Sequence, residues 1–230
     1  MNLGGKKSTI GVIRVVTTDD REFLETHARL ISDYLHSSDV AFVTECIKGF
    51  PNGISTEAEE KRAIPSVKET GKRLVHETQV DSLLVSCAAD PGVRELKQEL
   101  RVPVIGAGSA AASFSLMLGT RVCVLGIEDQ APKVVEDILK DHLVGYVKPP
   151  GVTTTHDIQE SLEEYINLSR GMVANKKADV ILLACTGLST ARIAPNLEET
   201  LHVPVVDPVL VSGLVAYYAA RGNTLRSENE

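Results

Sequence analysis

Short apolar runs alternate with longer segments of helical periodicity along this chain. The first apolar run, Ile10 to Val16, precedes a segment from Asp20 to about His36 in which apolar residues recur at helical spacing. Apolar runs of about four to eight residues between polar segments are typical of strands that are buried on both faces. The alternation therefore predicts an α/β fold built on mostly parallel sheets.

One part of this pattern occurs twice. The segments 81–87 (DSLLVSC) and 179–185 (DVILLAC) both open on aspartate and close on cysteine. Each is followed by a helix-like stretch and then by a Val-Pro-Val strand, at 102–104 and at 203–205. The repeat predicts two halves of similar build with the two cysteines at equivalent strand ends.

We accordingly expect two pseudo-symmetric lobes, each a mostly parallel sheet flanked by helices. The first lobe is predicted to comprise residues 1–105 plus 208–230 and to carry Cys87, because the last helix is expected to pack back on it. The second lobe is predicted to comprise residues 106–207 and to carry Cys185. Ligands of open parallel sheets bind at the carboxyl ends of the strands, so we expect the active site in the cleft between the lobes.

The overall composition argues against several classes of partner. The chain has 230 residues and a net charge of −7 without a basic tract, which does not favour nucleic acid. Its apolar stretches fall short of the ~20 residues that cross a membrane. The amino terminus lacks the apolar region of a signal peptide, so we expect a cytoplasmic protein that acts on a small molecule.

The spacing of the cysteines argues against a metal centre. Cys46, Cys87, Cys123 and Cys185 lie far apart and form no Cys-x-x-Cys or Cys/His cluster, so no metal site is predicted. A disulfide framework is not expected in a reducing cytoplasm. Cys123 is interpreted as a small buried apolar residue inside a strand, and no role is assigned to Cys46. The repeat favours a functional role for Cys87 and Cys185.

Two opposed thiols suit the inversion of a stereocentre next to a carbonyl. One group must remove a proton from one face, and another must return a proton to the opposite face. The ordinary thiol pKa of about 8.5 allows cysteine to act as base and as acid. Backbone N–H groups can stabilise the thiolate, and we expect them from the Asp90-Pro91 helix start and from the segment after Cys185.

The chain resembles the aspartate/glutamate/hydantoin racemase superfamily, and within it the hydantoin racemase-like branch. The matching segments are 86–92 (SCAADPG), 184–188 (ACTGL) and 204–208 (PVVDP), and the similarity extends over about Ile10 to Ala220. The resemblance implies a two-base mechanism that uses Cys87 and Cys185 and needs no cofactor. It also implies a homo-oligomer.

Departures from the amino-acid racemases indicate the substrate. Ala88 and Ala89 stand where aspartate and glutamate racemases typically have Asn-Thr, and Gly187 stands where they often have histidine or glutamate. The loop 49–55 looks like the hydantoin branch, although the segment 15–18 (VVTT) replaces the Asn-Pro-Asn run common there. A 5-substituted hydantoin or related ureide is therefore the predicted substrate.

The residues expected to contact the substrate flank the cysteines or lie in predicted loops. They are Ala88, Ala89, Thr186, Gly187, Ile54, Thr17 and Ser109.

Four charged or titratable residues have alternative interpretations. Arg14 could reach the cleft or be an ion-paired or edge-strand arginine, and His156 could line the cleft or belong to the cap of the next helix. Asp90 is interpreted as a helix cap and Asp207 as a structural turn residue.

Three alternatives to a hydantoin racemase stay open. The first is an amino-acid racemase of the aspartate/glutamate type. The second is an enzyme like arylmalonate decarboxylase or maleate isomerase, although a decarboxylase of this kind keeps one thiol of the pair. The third is a metabolite-binding protein without catalytic activity.

Overall fold

The chain forms two compact units in a computed structural model that describes residues 7–152, 157–158 and 160–227. The first unit comprises Met1–Ser86, Pro91–Gly106 and Ser212–Glu230, and the second comprises Cys87–Asp90 and Ala107–Val211. We expected Cys87 in the lobe formed by residues 1–105 and 208–230, whereas its contacts place it with the second unit.

The first unit contains a four-stranded parallel sheet in the order β2-β1-β3-β4. All five residues of the strand before Cys87 are buried, as expected for a strand covered on both faces. The elements of this unit are β1 Ser8–Arg14, α1 Arg21–Leu35, β2 Val40–Cys46, α2 Glu57–Thr78, β3 Ser82–Ser86, α3 Val93–Glu99 and β4 Val104–Gly106.

The second unit contains a four-stranded parallel sheet in the order β6-β5-β7-β8. This order corresponds strand for strand to that of the first sheet. Its strands are β5 Val122–Leu125, β6 Leu143–Val147, β7 Val180–Leu183 and β8 Val205–Val206. Its helices are α4 Ala107–Leu118, α5 Lys133–Leu139, the 3₁₀ turn Lys140–His142, α6 Leu162–Lys176, α7 Thr186–Thr190 and α8 Ala194–Leu201, and helix α9, Pro208–Ser227, starts in this unit and continues in the first.

Alternate residues of β5 and β7 face two separate apolar clusters. Cys123, Leu125 and Ile181 pack with Tyr165 of α6 and with residues of α7 and α8. Val124 belongs to the other cluster, which includes residues of α4 and α5. The period of two in a strand thus places helices on both faces of the sheet.

The predicted α/β class with parallel sheets is confirmed. Helix α2 was expected to start late or to kink at Pro65, but it starts at Glu57 because Thr56 caps it by accepting a hydrogen bond from the N–H of Glu59. Strand β6 was not predicted, and four of its five residues are half-buried. No helix in the described part of the chain is long and apolar enough to cross a membrane.

Candidate active site

Cys87 and Cys185 come after corresponding strands of the two sheets. Cys87 directly follows β3, and Cys185 lies two residues after β7, each at the carboxyl end of its strand. Both thiols are half-buried. The structure thus places the two cysteines as the repeat predicts, and both belong to the second unit.

Cys87 starts a tight turn that packs against α4. The N–H of Asp90 donates to the carbonyl oxygen of Cys87 at 3.1 Å, and the N–H of Ala89 donates to the Cys87 sulfur. The carboxylate of Asp90 accepts hydrogen bonds from the N–H groups of Gly108 at 2.7 Å and Ser109 at 2.9 Å. This carboxylate therefore accepts hydrogen bonds from N–H groups in the first turn of α4, which have no partner within the helix. It also attaches the Cys87 turn to the second unit.

Asp90 was interpreted as the cap of the helix that follows Pro91, and this was wrong. Helix α3 starts at Val93 behind Gly92, which makes no side-chain cap hydrogen bond. Asp90 instead has a φ of +55°, which turns its side chain toward the start of α4. Gly108 permits this approach, because a Cβ atom there would collide with the carbonyl oxygen of Ala88.

Cys185 lies at the start of helix α7. The N–H groups of Gly187 and Leu188 donate hydrogen bonds to its sulfur. The hydroxyl of Ser189 on the same helix donates to the buried carboxylate of Asp207 at 2.8 Å. Asp207 also accepts from the N–H of Val209 at 2.8 Å, so it caps α9 and ties α7 to the end of β8.

Burial raises the pKa of both thiols, to different extents. Burial raises the pKa of Cys185 to about 11, against the opposing effect of its two N–H donors. The pKa of Cys87 lies well above the ordinary thiol value because of burial, and a single N–H donor opposes the shift. The negative charge of Cys185 raises the pKa of Cys87 further, so the two sulfurs lie within electrostatic range of each other.

Three residues around the end of β5 were not predicted as part of the site. The hydroxyl of Tyr146 donates to the carbonyl oxygen of Glu128 at 2.9 Å, and the hydroxyl of Tyr165 donates to that of Gly126 at 2.9 Å. Burial is the main cause that raises the pKa of both tyrosines, and the negative charge of Cys185 adds to it. The negative charge of Glu128 raises the pKa of Cys87, of Cys185 and of Tyr146.

A sequence signal existed for only one of these residues. Glu128 follows a predicted strand at its carboxyl end, where ligands of open sheets bind. Tyr146 lies on β6, which was not predicted. Tyr165 lies on α6, whose sequence contains no motif that indicates a function.

Five of the residues predicted to contact the substrate belong to the same unit as the cysteines. Ala88 and Ala89 form the turn after Cys87, and Thr186 and Gly187 form the first turn of α7. Ser109 lies in the first turn of α4, where its N–H contacts Asp90. Their contact with a substrate stays a prediction.

Thr17 and Ile54 belong to the first unit. The hydroxyl of Thr17 donates to the carbonyl oxygen of Ile47 at 2.7 Å and accepts from the N–H of Phe50 at 2.8 Å. Thr17 therefore holds the loop after β2. Ile54 is half-buried at the end of that loop, and a substrate contact of either residue stays a prediction.

Arg14 is anchored to helix α1. It is only 4% exposed, and its Nη1 atom donates to the carbonyl oxygens of Phe23 at 2.8 Å and Leu24 at 3.0 Å. Burial lowers the pKa of its guanidinium to about 10. Since β1 lies between β2 and β3, the edge-strand interpretation was wrong. His156 lies outside the described residues.

The remaining cysteines have different surroundings. Cys123 is fully buried inside β5, as interpreted, and burial raises its pKa to about 12. The thiol of Cys46 donates to the carbonyl oxygen of Thr18 at 3.5 Å. Among the described residues, no cluster of three or more His, Cys, Asp or Glu side chains could hold a metal ion.

Comparisons with known proteins point to one family. The model of the Asp/Glu/Hydantoin racemase family matches residues 10–212. A hydantoin racemase of Pseudomonas sp. (strain NS671) is 28% identical over 180 residues, which cover 75% of this chain and 71% of that protein. A hydantoin racemase of Paenarthrobacter aurescens is 26% identical over 176 residues, which cover 70% of this chain and 74% of that protein.

The fold is also that of a solved racemase. The crystal structure of the allantoin racemase AllR from Pseudomonas fluorescens has a TM-score of 0.79 with this chain at 23% identity. The match covers 93% of this chain and 91% of that one.

Proposed function

Because the chain belongs to the Asp/Glu/hydantoin racemase family, we propose that it is a cofactor-independent racemase that uses Cys87 and Cys185 as acid and base. The two thiols act on opposite faces of a stereocentre next to a carbonyl. The observation that carries this proposal is the placement of two half-buried cysteines at corresponding strand ends, within electrostatic range of each other.

The chemistry divides between one thiolate and one thiol. The thiolate removes the proton next to the carbonyl and becomes a thiol, and the electron pair passes to the carbonyl oxygen as an enolate. The opposite thiol then donates its proton to the other face of the carbon and becomes the thiolate. The reverse direction exchanges the two roles, so no outside proton donor is needed for one turnover.

Cys185 is the proposed base in the resting protein. Its sulfur accepts two backbone hydrogen bonds, and its pKa of about 11 lies below that of Cys87. Hydrogen bonds to a thiolate stabilise its charge, so the first proton leaves Cys185 more easily. Cys87, the weaker acid, then stays protonated and can donate to the opposite face.

The proposed substrate is a 5-substituted hydantoin or a related ureide. Two relatives are named hydantoin racemases. Ala88, Ala89 and Gly187 stand where amino-acid racemases typically have polar side chains, so these three positions offer no side-chain hydrogen-bond donors for the carboxylates of a free dicarboxylic amino acid. A neutral ring amide reaches its enolate with less electrostatic help than a carboxylate does, which suits a site of this kind.

The proposal also includes a homo-oligomer, as the family resemblance implies. Leu214, Val215 and Tyr218 of α9 are large apolar side chains exposed by 38%, 38% and 81% on neighbouring helical positions, which supports contact with a second copy. Light scattering after size-exclusion chromatography measures the mass, and a monomer at micromolar concentration would contradict this part.

The test of the activity is proton exchange at the stereocentre. Single enantiomers of 5-benzylhydantoin, allantoin, aspartate and glutamate are incubated with the protein in deuterated water, and the enzyme-free rate is subtracted. We expect loss of optical rotation with deuterium at the α-carbon for a ureide. Turnover of only aspartate or glutamate would identify an amino-acid racemase, and ultraviolet loss of phenylmalonate alone would identify a decarboxylase; either result would overturn the proposal.

A further inference from the structure

We propose that the Glu128 carboxylate is a specificity-determining group that repels anionic substrates from the two cysteines. The racemase would then select neutral or cationic side chains at the stereocentre. This inference deepens the proposed function and rests on it for the identity of the substrate.

The sheet brings Glu128 to the edge that carries Cys185. Strands β5 and β7 are neighbours, with Leu125 beside Leu183. The N–H of Ala184 donates to the carbonyl oxygen of Leu125 at 2.7 Å. The segment that leads to Glu128 and the segment that leads to Cys185 therefore leave the sheet side by side at its carboxyl edge.

Two tyrosine hydroxyls hold this segment in place. Tyr146 donates to the carbonyl oxygen of Glu128 and Tyr165 to that of Gly126, each at 2.9 Å. A Cβ atom on Gly126 would collide with the hydroxyl of Tyr146, so the close packing requires glycine there. The backbone of Glu128 is thus fixed at this edge of the sheet, and the residue is half-buried.

The charge of Glu128 acts on both sulfurs. It contributes to the raised pKa of Cys87 and to that of Cys185, so it opposes negative charge at each position. A substrate held by both cysteines brings its own substituents into the same field. Salt screens partly buried charges less than exposed ones. The charge of Glu128 therefore disfavours a negatively charged substrate substituent near the two sulfurs.

The neighbouring acidic residue supplies a matched control. The side chain of Asp129 is 97% exposed and pairs with Lys148 at 2.8 Å. Asp129→Asn removes one negative charge from the adjacent position without touching the sulfurs. The comparison of Glu128→Gln with Asp129→Asn therefore separates the position of the charge from the net charge of the protein.

The first experiment tests the repulsion without any turnover. Native protein and both variants are alkylated with neutral iodoacetamide and with anionic iodoacetate, and mass spectrometry measures the rates at Cys87 and Cys185. The ratio of the two rates cancels the thiolate fraction, which is common to both reagents. We expect Glu128→Gln to raise the relative rate of iodoacetate about tenfold, as expected for removal of one charge at close range. Asp129→Asn should leave the ratio unchanged.

The second experiment uses three hydantoins that differ in side-chain charge. They are hydantoin-5-acetate, its neutral amide and 5-(3-aminopropyl)hydantoin. Native protein should racemise the neutral and cationic compounds in preference to the anion. Glu128→Gln should raise kcat/KM for the anion relative to the amide by about tenfold, by the same loss of repulsion. Circular dichroism and the melting temperature confirm that the variants are folded.

The outcomes distinguish the two proposals. If native protein racemises the amide but Glu128→Gln changes neither the alkylation ratio nor the preference among hydantoins, the role of Glu128 is wrong and the racemase stands. If native protein racemises no hydantoin, the proposed function is wrong. The claim that Glu128 selects among hydantoins is then wrong as well. An equal effect of Asp129→Asn would assign the repulsion to net charge and would also overturn the inference.

Discussion

Cys87 and Cys185 occupy corresponding strand ends, but the segments after them differ. Cys87 precedes a tight turn that gives its sulfur one N–H donor, from Ala89. Cys185 directly precedes helix α7, which gives its sulfur two N–H donors, from Gly187 and Leu188. Burial is the main cause that raises the pKa of both thiols, and the second N–H donor opposes this shift more at Cys185 than the single donor does at Cys87.

The difference suggests a division of roles in a nominally symmetric reaction. A racemase needs one deprotonated and one protonated group at the start of each turnover. Two identical surroundings would leave the choice to chance, whereas the additional N–H donor favours the thiolate at Cys185. The turn that carries Cys87 is held instead by hydrogen bonds between Asp90 and the start of α4, and the negative charge of Asp90 raises the pKa of Cys87 further.

Replacing either thiol should have the strongest effect. We expect Cys87→Ser and Cys185→Ser each to lower kcat/KM for racemisation by about 10³-fold, since a serine hydroxyl is a far weaker acid and the loss of one acid/base group costs this much. Chiral chromatography of the product measures the rate. Cys123→Ala is the control because Cys123 is buried inside strand β5 and not at a strand end; equal losses in all three variants would contradict the assignment.

The rate should depend strongly on pH. Because the pKa of Cys185 is raised to about 11, the thiolate fraction at neutral pH is small and grows about tenfold per pH unit. We expect kcat/KM to rise about 100-fold between pH 6 and 8. A flat profile over this range would contradict a thiol base whose pKa is raised to about 11.

The alkaline limit of that experiment is set by folding stability. A thiol whose pKa is higher in the folded than in the unfolded chain stabilises the fold below the unfolded value of about 8.5. This contribution is lost as the pH rises from about 8.5 toward the folded value of about 11. Rates are therefore compared below pH 8.5, and circular dichroism checks the fold at each pH.

The two sulfurs should differ in their rates of alkylation. At pH 8 we expect iodoacetamide to modify Cys185 faster than Cys87, since the pKa of Cys185 is the less raised of the two and its thiolate fraction is therefore larger. Quenched samples analysed by peptide mass spectrometry give both rates in one experiment. Faster modification of Cys87 would reverse the proposed roles.

A substitution behind the Cys87 turn should affect one cysteine alone. In Gly108→Ala the new Cβ atom meets the carbonyl oxygen of Ala88, so the turn must move. We expect a loss of kcat/KM of several-fold to about tenfold, as misplacement of a catalytic group produces. Ser113→Ala, at an exposed position of the same helix, adds no atom at this contact and serves as control. A changed alkylation rate at Cys185 would show that the shift spreads beyond the turn.

The sequence predicted the strand ends because buried strands leave a strong apolar signal. The repeat at 81–87 and 179–185 predicted both cysteine positions, and the motifs predicted the family, which the match over residues 10–212 confirms. The prediction of a racemase-type isomerase is confirmed at the level of the family. The two-cysteine mechanism and the substrate stay predictions.

Contacts between distant residues could not be predicted in this way. Asp90 was assigned to the nearest helix because a cap is a local pattern, but its partners Gly108 and Ser109 lie in the next helix along the chain. The segments that lead to Glu128 and to Cys185 leave the sheet side by side because β5 and β7 are neighbours, an arrangement that sequence periodicity does not determine. Sequence patterns thus predicted the two cysteines, whereas tertiary packing determines which charged residues shift their pKa values.

Exchange at the α-carbon by the two single-cysteine variants tests the central claim most directly. Each enantiomer of 5-benzylhydantoin is incubated with Cys87→Ser or Cys185→Ser in deuterated water, and proton NMR monitors the loss of the α-proton signal above the enzyme-free rate. Two thiols on opposite faces predict that one variant exchanges only one enantiomer and the other variant only the opposite one. Exchange of both enantiomers by the same variant would show that a single group reaches both faces, and would contradict the two-cysteine account.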